Sequence, residues 1–106
     1  MRALAITTAK RSPLAPDVPT VAESGYPGFE ADTWYGMLAP AKFPPVLVNQ
    51  INASVNRMLT QADFKDRLSF EGAQPAGGSP ADFAAYIKSE IEKWAKIVRM
   101  AKVKIE

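Results

Sequence analysis

A chain of 106 residues is about one small domain, and its 47% hydrophobic and 23% charged content is ordinary for a soluble globular protein. A formal net charge of +2 is too weak to call for nucleic acid or an anionic membrane as partner. The chain has no cysteine, which excludes disulfides and thiolate chemistry, and no histidine, which removes the usual general base and the commonest metal ligand.

Arg2 to Thr8 reads RALAITT. Leu4 and Ile6 share one face and alanines fill the other, so the pattern predicts a buried strand of the kind found in parallel sheets. A central strand needs neighbours on both sides, and the sequence offers few. It reads as the middle of a larger arrangement. The opening MRALAITTAKR lacks the apolar run and cleavage site of a signal peptide. No segment approaches the roughly 18 apolar residues of a membrane span.

Lys10 to Pro16 is a polar, proline-bearing connection. From Asp17 to Pro40 prolines punctuate the chain with Gly25, Gly28 and Gly36 between them, and each narrows or widens the backbone choices at its position. Asp17 or Thr20 caps a short helix; Thr20 and Glu23 have the spacing of a capping box, and Gly25 is suited to end that helix. Pro27 and Gly28 make a turn. Phe29 to Leu38 then reads as an aromatic strand, with Trp34, Tyr35, Met37 and Leu38 supplying bulk.

Pro40 to Pro45 is a loop, and Pro45 suits the first position of a helix. Leu47, Ile51, Val55 and Leu59 recur every four residues, predicting an amphipathic helix to about Thr60. Asn49, Gln50, Asn52, Asn56 and Arg57 are expected to face outward. A shorter helix is predicted from Asp63, as its cap, to Glu71, with Gly72 as its stop. Ser79, Pro80 and Asp82 are a helix start: a cap, a proline at the first position and an acid at the third. The last helix carries Phe83, Ile87, Ile91, Trp94 and Val98 on one stripe, which predicts core. Ala101 to Glu106 either ends that helix or leaves as a short strand. The fold class expected is α/β, with two or three short strands packed with three or four helices.

The sequence offers little chemistry. Asp63 with Asp66 fits a helix N-terminus, where negative charge is favoured. Glu90 and Glu92 are two apart and do not share a helix face. Gly77-Gly78 is too short for a phosphate loop. The basic residues Lys93, Lys96, Arg99, Lys102 and Lys104 are interleaved with apolar ones and read as a solvated helix face, not a nucleic-acid surface. No nucleophile and base are paired, so the chain is not expected to be an enzyme, and no cofactor or metal is expected. Thr7 and Thr8 end the first strand, where open α/β sheets bind ligands. Their hydroxyls either donate to an anionic ligand or satisfy the strand end. Trp34 lies beside Tyr35 and Gly36 and either stacks on a ligand or packs as core.

At RALAITTAKRSPLAPDVPTVAESG the chain resembles the solute receptors of tripartite tricarboxylate transporters, the Bug family. The similarity continues through Gly28-Phe29, Trp34-Tyr35-Gly36 and Leu38-Ala39-Pro40 to FKDRLSFEGAQPAGGSPADFAAYIKSEIEKWAKIV. Lys42-Phe43 departs from the Gly-Thr usual before the proline. The resemblance implies the C-terminal portion of a two-domain bacterial receptor: a partial domain of the type II periplasmic-binding-protein kind, periplasmic in the full-length family. Residues 1–40 would be the strand, short helix and aromatic crossing strand, and 41–106 the helical part. The partners implied for the complete protein are a small carboxylated solute and the membrane components of the transporter. Thr7, Thr8 and Trp34 are the ligand-binding candidates. The competing expectation is a truncated homologue that self-associates as a homo-oligomer, because an incomplete α/β domain leaves edges and apolar faces uncovered.

Overall fold

Ile6 is the pivot of the first unit. In the computed structural model, which describes residues 2–103, the chain divides into two compact units, Met1–Leu38 and Ala39–Glu106. The Ile6 N–H donates to the Pro19 carbonyl at 2.9 Å and the Val21 N–H donates to the Ile6 carbonyl at 2.8 Å, an isolated parallel bridge to Thr20. Carbonyls of successive residues in an extended chain point to opposite sides. The Thr7 carbonyl accordingly accepts from the Ala31 N–H at 3.0 Å on the other flank. Ile6–Thr7 is therefore bonded on both sides, but the buried strand expected over Arg2 to Thr8 does not form, and Leu4 is exposed.

The pairing does not spread. Among the described residues no strand forms, which corrects the expectation of two or three. Strands persist only where a ladder partner continues. Pro19 has no N–H to offer, and Pro27-Gly28 turns the chain away. Of the stretch Phe29 to Leu38, only Ala31 bonds to Thr7 in this way. The helix expected after Thr20 is likewise reduced to a turn. Its capping box is complete: Glu23 N–H donates to Thr20 Oγ1 at 3.1 Å, and Thr20 N–H donates to Glu23 Oε2 at 2.8 Å. Gly25, at φ 109°, then diverts the chain after a single turn.

The second unit is helical: α1 (Pro45–Leu59), α2 (Ala62–Phe70) and α3 (Pro80–Met100), with α1 packed against both others. Pro45 opens α1, as predicted. The cap of α2 is Gln61, and Asp63 lies in the first turn instead, where its charge still favours the helix N-terminus. Its end is a complete Schellman motif. Gly72 N–H donates to Ser69 O at 2.9 Å, Ala73 N–H donates to Leu68 O at 2.8 Å, and Gly72 takes φ 72°. The predicted capping box of α3 is present, with Asp82 N–H donating to Ser79 Oγ and Ser79 N–H to Asp82 Oδ2. Ala101 caps its far end, and Lys102 takes the left-handed position at φ 50° that glycine usually fills. A short strand near the C-terminus would fall partly outside the described residues.

Packing differs most from expectation. Among the described residues no hydrophobic side chain is buried, and the two buried residues are polar, Thr20 and Glu90. On α1 the half-buried side comprises Val48, Asn52, Val55, Asn56 and Leu59, while Leu47, Ile51 and Met58 are exposed. Asn52 and Asn56 thus face inward, correcting the outward placement. On α3, Phe83 and Ile87 are half-buried, but Ile91, Trp94 and Val98 are exposed. Trp94 is therefore not core. The apolar arc of each helix is wider than its partner covers.

Candidate functional site

The site candidates Thr7, Thr8 and Trp34 all lie in the first unit. Thr7 and Thr8 follow Ile6 at the carboxyl end of the bridged segment, in a run of bends from Thr7 to Lys10. The Thr7 side chain is exposed. The hydroxyl of Thr8 donates to the Lys10 carbonyl at 2.6 Å, so its only proton is committed to shaping the bend. Of the two threonines, Thr7 is the one whose hydroxyl proton is not spent on the loop. The bond from Ala31 to Thr7 brings the segment that carries Trp34 alongside this bend. Trp34 is 40% exposed, half-sheltered and half-offered to solvent.

A second layer holds the loop in place. Arg11 Nε donates to Glu23 at 2.9 Å, and Arg11 Nη1 donates to the Pro16 carbonyl at 3.1 Å. Arg11 thereby ties both ends of the proline-bearing connection to the Thr20–Glu23 cap. The Glu23 carboxyl is held below its ordinary pKa, first by the bond from Arg11 and then by the bond from the Thr20 backbone. The ion pair is about half exposed and screened by solvent, so it fixes geometry more than it stabilises. Lys10, exposed at the end of the bend, is the nearest cation in sequence to Thr7 and Thr8, and the charge of Arg11 beside it is answered by Glu23. The bend offers an incoming group the Thr7 hydroxyl, with the exposed Lys10 closing the same bend.

Sequence reasoning passed over three features. Asp32 Oδ1 is enclosed and has no hydrogen-bond partner among the described residues. An enclosed acceptor without a donor costs on the order of 1–3 kcal/mol. Glu90 is buried in α3, where it accepts from the Trp94 indole N–H at 2.9 Å and forms an ion pair with Lys93. The Lys93 ammonium also lies 5.8 Å from the centroid of the Trp94 ring. The i,i+4 spacing of Glu90 and Trp94 could have signalled the bond. Asn56 and Asn52 clamp Gly78: Asn56 Nδ2 donates to its carbonyl at 2.9 Å, Asn52 Nδ2 at 3.0 Å, and its N–H donates back to Asn56 Oδ1 at 3.0 Å.

Among the described residues no group of His, Cys, Asp or Glu could hold a metal ion. No helix among the described residues is long and apolar enough to cross a membrane. The profile of the tripartite tricarboxylate transporter family receptor matches residues 1–103. A protein from the tcbD-tcbE intergenic region of Pseudomonas sp. (strain P51) is 41% identical over 99 residues, covering 92% of this chain and 30% of that protein. Protein BugT of Bordetella pertussis is 35% identical over 106 residues, covering 100% of this chain and 32% of its own. Two solved structures share the fold: R. palustris Rpa4515 with adipate, and the periplasmic binding protein BugD. The first has a TM-score of 0.81 and 38% identity, over 93% of this chain and 33% of that one. The second has a TM-score of 0.80 and 35% identity, over 96% and 35%. The chain thus spans about a third of the length of these relatives.

Proposed function

The chain belongs to the tripartite tricarboxylate transporter receptor family, and from that premise we propose that it is the C-terminal part of a periplasmic receptor that captures a small carboxylated solute for a membrane transporter. The observation that carries this reading is the likeness to the adipate-bound Rpa4515, over nearly all of this chain. The complete receptor works by binding and domain closure. Ligand groups add hydrogen bonds in the closed state and shift the equilibrium towards it. It performs no chemistry on its solute.

Thr7 is the contact this chain contributes. Its hydroxyl donates to a solute carboxylate, a charge-assisted bond that needs no cation beside it. Thr8 shapes the bend that presents Thr7. Trp34 forms an apolar wall against the carbon skeleton of the solute. The remaining donors come from the two-thirds of the receptor that lies outside this chain.

The test uses a chimera in which this chain replaces the corresponding segment of Rpa4515. Its melting temperature is measured against mono-, di- and tricarboxylates, adipate among them. At least one carboxylate is expected to raise it. Thr7→Val should then weaken that binding about tenfold or more, because hydrogen bonds to charged groups contribute about 1.5–3 kcal/mol. Thr7→Ser should restore most of the affinity. A folded chimera indifferent to every carboxylate sinks the receptor reading. Undiminished binding by Thr7→Val sinks only the role of Thr7.

A further inference from the structure

We infer that Arg11 and Glu23 are positioning residues of the solute site: their ion pair closes a frame around the Thr7–Lys10 bend and holds the Thr7 hydroxyl where a carboxylate meets it. The inference rests on the reading of Thr7 as the solute contact. It adds two residues that act through Thr7 without touching the solute.

The frame follows from where the two ends of the bend are tied. At its start, Ile6 is bonded to the chain on either side of Thr20. Its N–H donates to the Pro19 carbonyl at 2.9 Å, and its carbonyl accepts from the Val21 N–H at 2.8 Å. At its end, Arg11 Nε donates to Glu23 Oε2 at 2.9 Å and to Glu23 Oε1 at 3.2 Å. Thr20 and Glu23 belong to one turn of chain, locked by their reciprocal cap. Both ends of the bend therefore stand on the same turn, with only Thr7 to Lys10 between them. That turn is a fixed point of the first unit, because Thr20 is 2% exposed. A segment tied at both ends samples far fewer conformations than one tied at a single end.

Glu23 is the node of the frame. Its Oε2 accepts from the Thr20 N–H at 2.8 Å as well as from Arg11, so one carboxylate joins the cap to the far end of the bend. Arg11 has a second tie, from Nη1 to the Pro16 carbonyl at 3.1 Å. The planar fork of a guanidinium presents donors to two acceptors at fixed angles, which a lysine ammonium does not reproduce. A half-exposed pair of this kind adds little to global stability. Its consequence is local. Without it, the bend presents Thr7 for only a fraction of the time, and the apparent affinity falls by that fraction.

An Arg11 that merely attracted an anionic solute would behave in the opposite way. Freeing it from Glu23 would then tighten binding, and a lysine would replace it.

The experiment uses the Rpa4515 chimera. Adipate, or the carboxylate that raises its melting temperature most, is titrated into Arg11→Met, Arg11→Lys, Glu23→Gln, Thr7→Val and the double variant Thr7→Val, Arg11→Met. Nitrogen-15 relaxation without solute gives the backbone order parameters of Thr7 to Lys10. Arg11→Met is expected to weaken binding about five- to tenfold with little change in melting temperature. Arg11→Lys should be nearly as weak. Glu23→Gln keeps an acceptor for the Thr20 N–H, yet it should weaken binding as well. In all three the order parameters of the bend should fall from about 0.85 to about 0.6 or below. In the Thr7→Val background, Arg11→Met should add less than about twofold, because the group it positions is gone. Full rescue by Arg11→Lys, tighter binding by Glu23→Gln, or an equally ordered bend in Arg11→Met overturns the inference. So does a loss in Arg11→Met that adds in full to that of Thr7→Val. Failure of these exposed variants to fold overturns it too, since the pair would then hold the whole unit. A folded chimera that binds no carboxylate, or Thr7→Val that binds undiminished, ends the reading beneath this inference and the inference with it. A Thr7 that matters in a bend indifferent to Arg11 overturns this inference alone.

Discussion

The clamp between α1 and the loop before α3 can be broken from either side, and the two breaks should not add. Gly77 sits at φ 66°, and a Cβ built there would lie 2.7 Å from Asn56 Oδ1. That oxygen is pinned, because it accepts from the Gly78 N–H at 3.0 Å while Asn56 Nδ2 holds the Gly78 carbonyl at 2.9 Å. Gly77→Ala therefore carries two costs. A left-handed conformation costs a non-glycine residue roughly 1–2 kcal/mol. Pushing Asn56 aside forfeits two hydrogen bonds, each contributing about 1 kcal/mol net. The total is about 3–4 kcal/mol. Asn56→Ala alone should cost about 2–3 kcal/mol, since it also loses the bond to Asn52 Oδ1, with Asn52 still holding the Gly78 carbonyl. In the double variant the clash is gone and only the backbone cost is added. The double variant should then be about 2 kcal/mol more stable than the sum of the single effects predicts. Urea midpoints in the chimera measure the cycle, and hydrogen exchange at the Gly78 amide reports the clamp directly. Strictly additive costs, or a Gly78 amide equally protected in Asn56→Ala, would refute the reasoning.

Other expectations follow from the caps and the bend. Ser79→Ala should destabilise α3 by about 1 kcal/mol through loss of the box with Asp82, read as a lower melting temperature. Asp82 is held below its ordinary pKa by the Ser79 side chain and then by the Ser79 backbone, and Glu23 is held low chiefly by Arg11. A lowered carboxyl pKa contributes stability that is present above the unfolded value and lost as pH falls through the folded one. Stability should therefore fall in the acid range below pH 4.5, the ordinary value for Glu23, and the double variant Glu23→Gln, Asp82→Asn should flatten that part of the pH profile. Lys102→Gly should raise stability by about 1 kcal/mol, since the left-handed position at φ 50° disfavours a side chain; unchanged or lower stability would count against the C-terminal Schellman geometry. Trp34→Ala should weaken carboxylate binding by the chimera with little change in its urea midpoint.

Local signals were the legible part of the sequence. The Ser79-Pro80-Asp82 start, the Pro45 start, the Gly72 stop and the Thr20–Glu23 box all form, because each needs only residues within one turn of chain. What depends on distant partners was not legible. The strand expected at Phe29 to Leu38 lacks a continuing ladder, so only Ala31 pairs with Thr7. A stripe of apolar residues shows which face of a helix is destined for burial. It does not show what covers that face, and Ile91, Trp94 and Val98 are exposed. Asn52 and Asn56 read as solvent-facing because their role, holding Gly78, involves a residue more than twenty positions away. At the site, the distinction between Thr7 and Thr8 rests on the direction of one hydroxyl proton, which spacing does not carry.

The central claim is that this chain is one part of a carboxylate receptor and supplies only part of its site. Calorimetric titration of adipate into the chain alone and into the chimera, under the same conditions, tests it most directly. The account predicts no measurable heat of binding at micromolar concentrations for the chain alone and saturable binding for the chimera. Micromolar binding by the chain alone, or a folded chimera that binds no carboxylate, would contradict it.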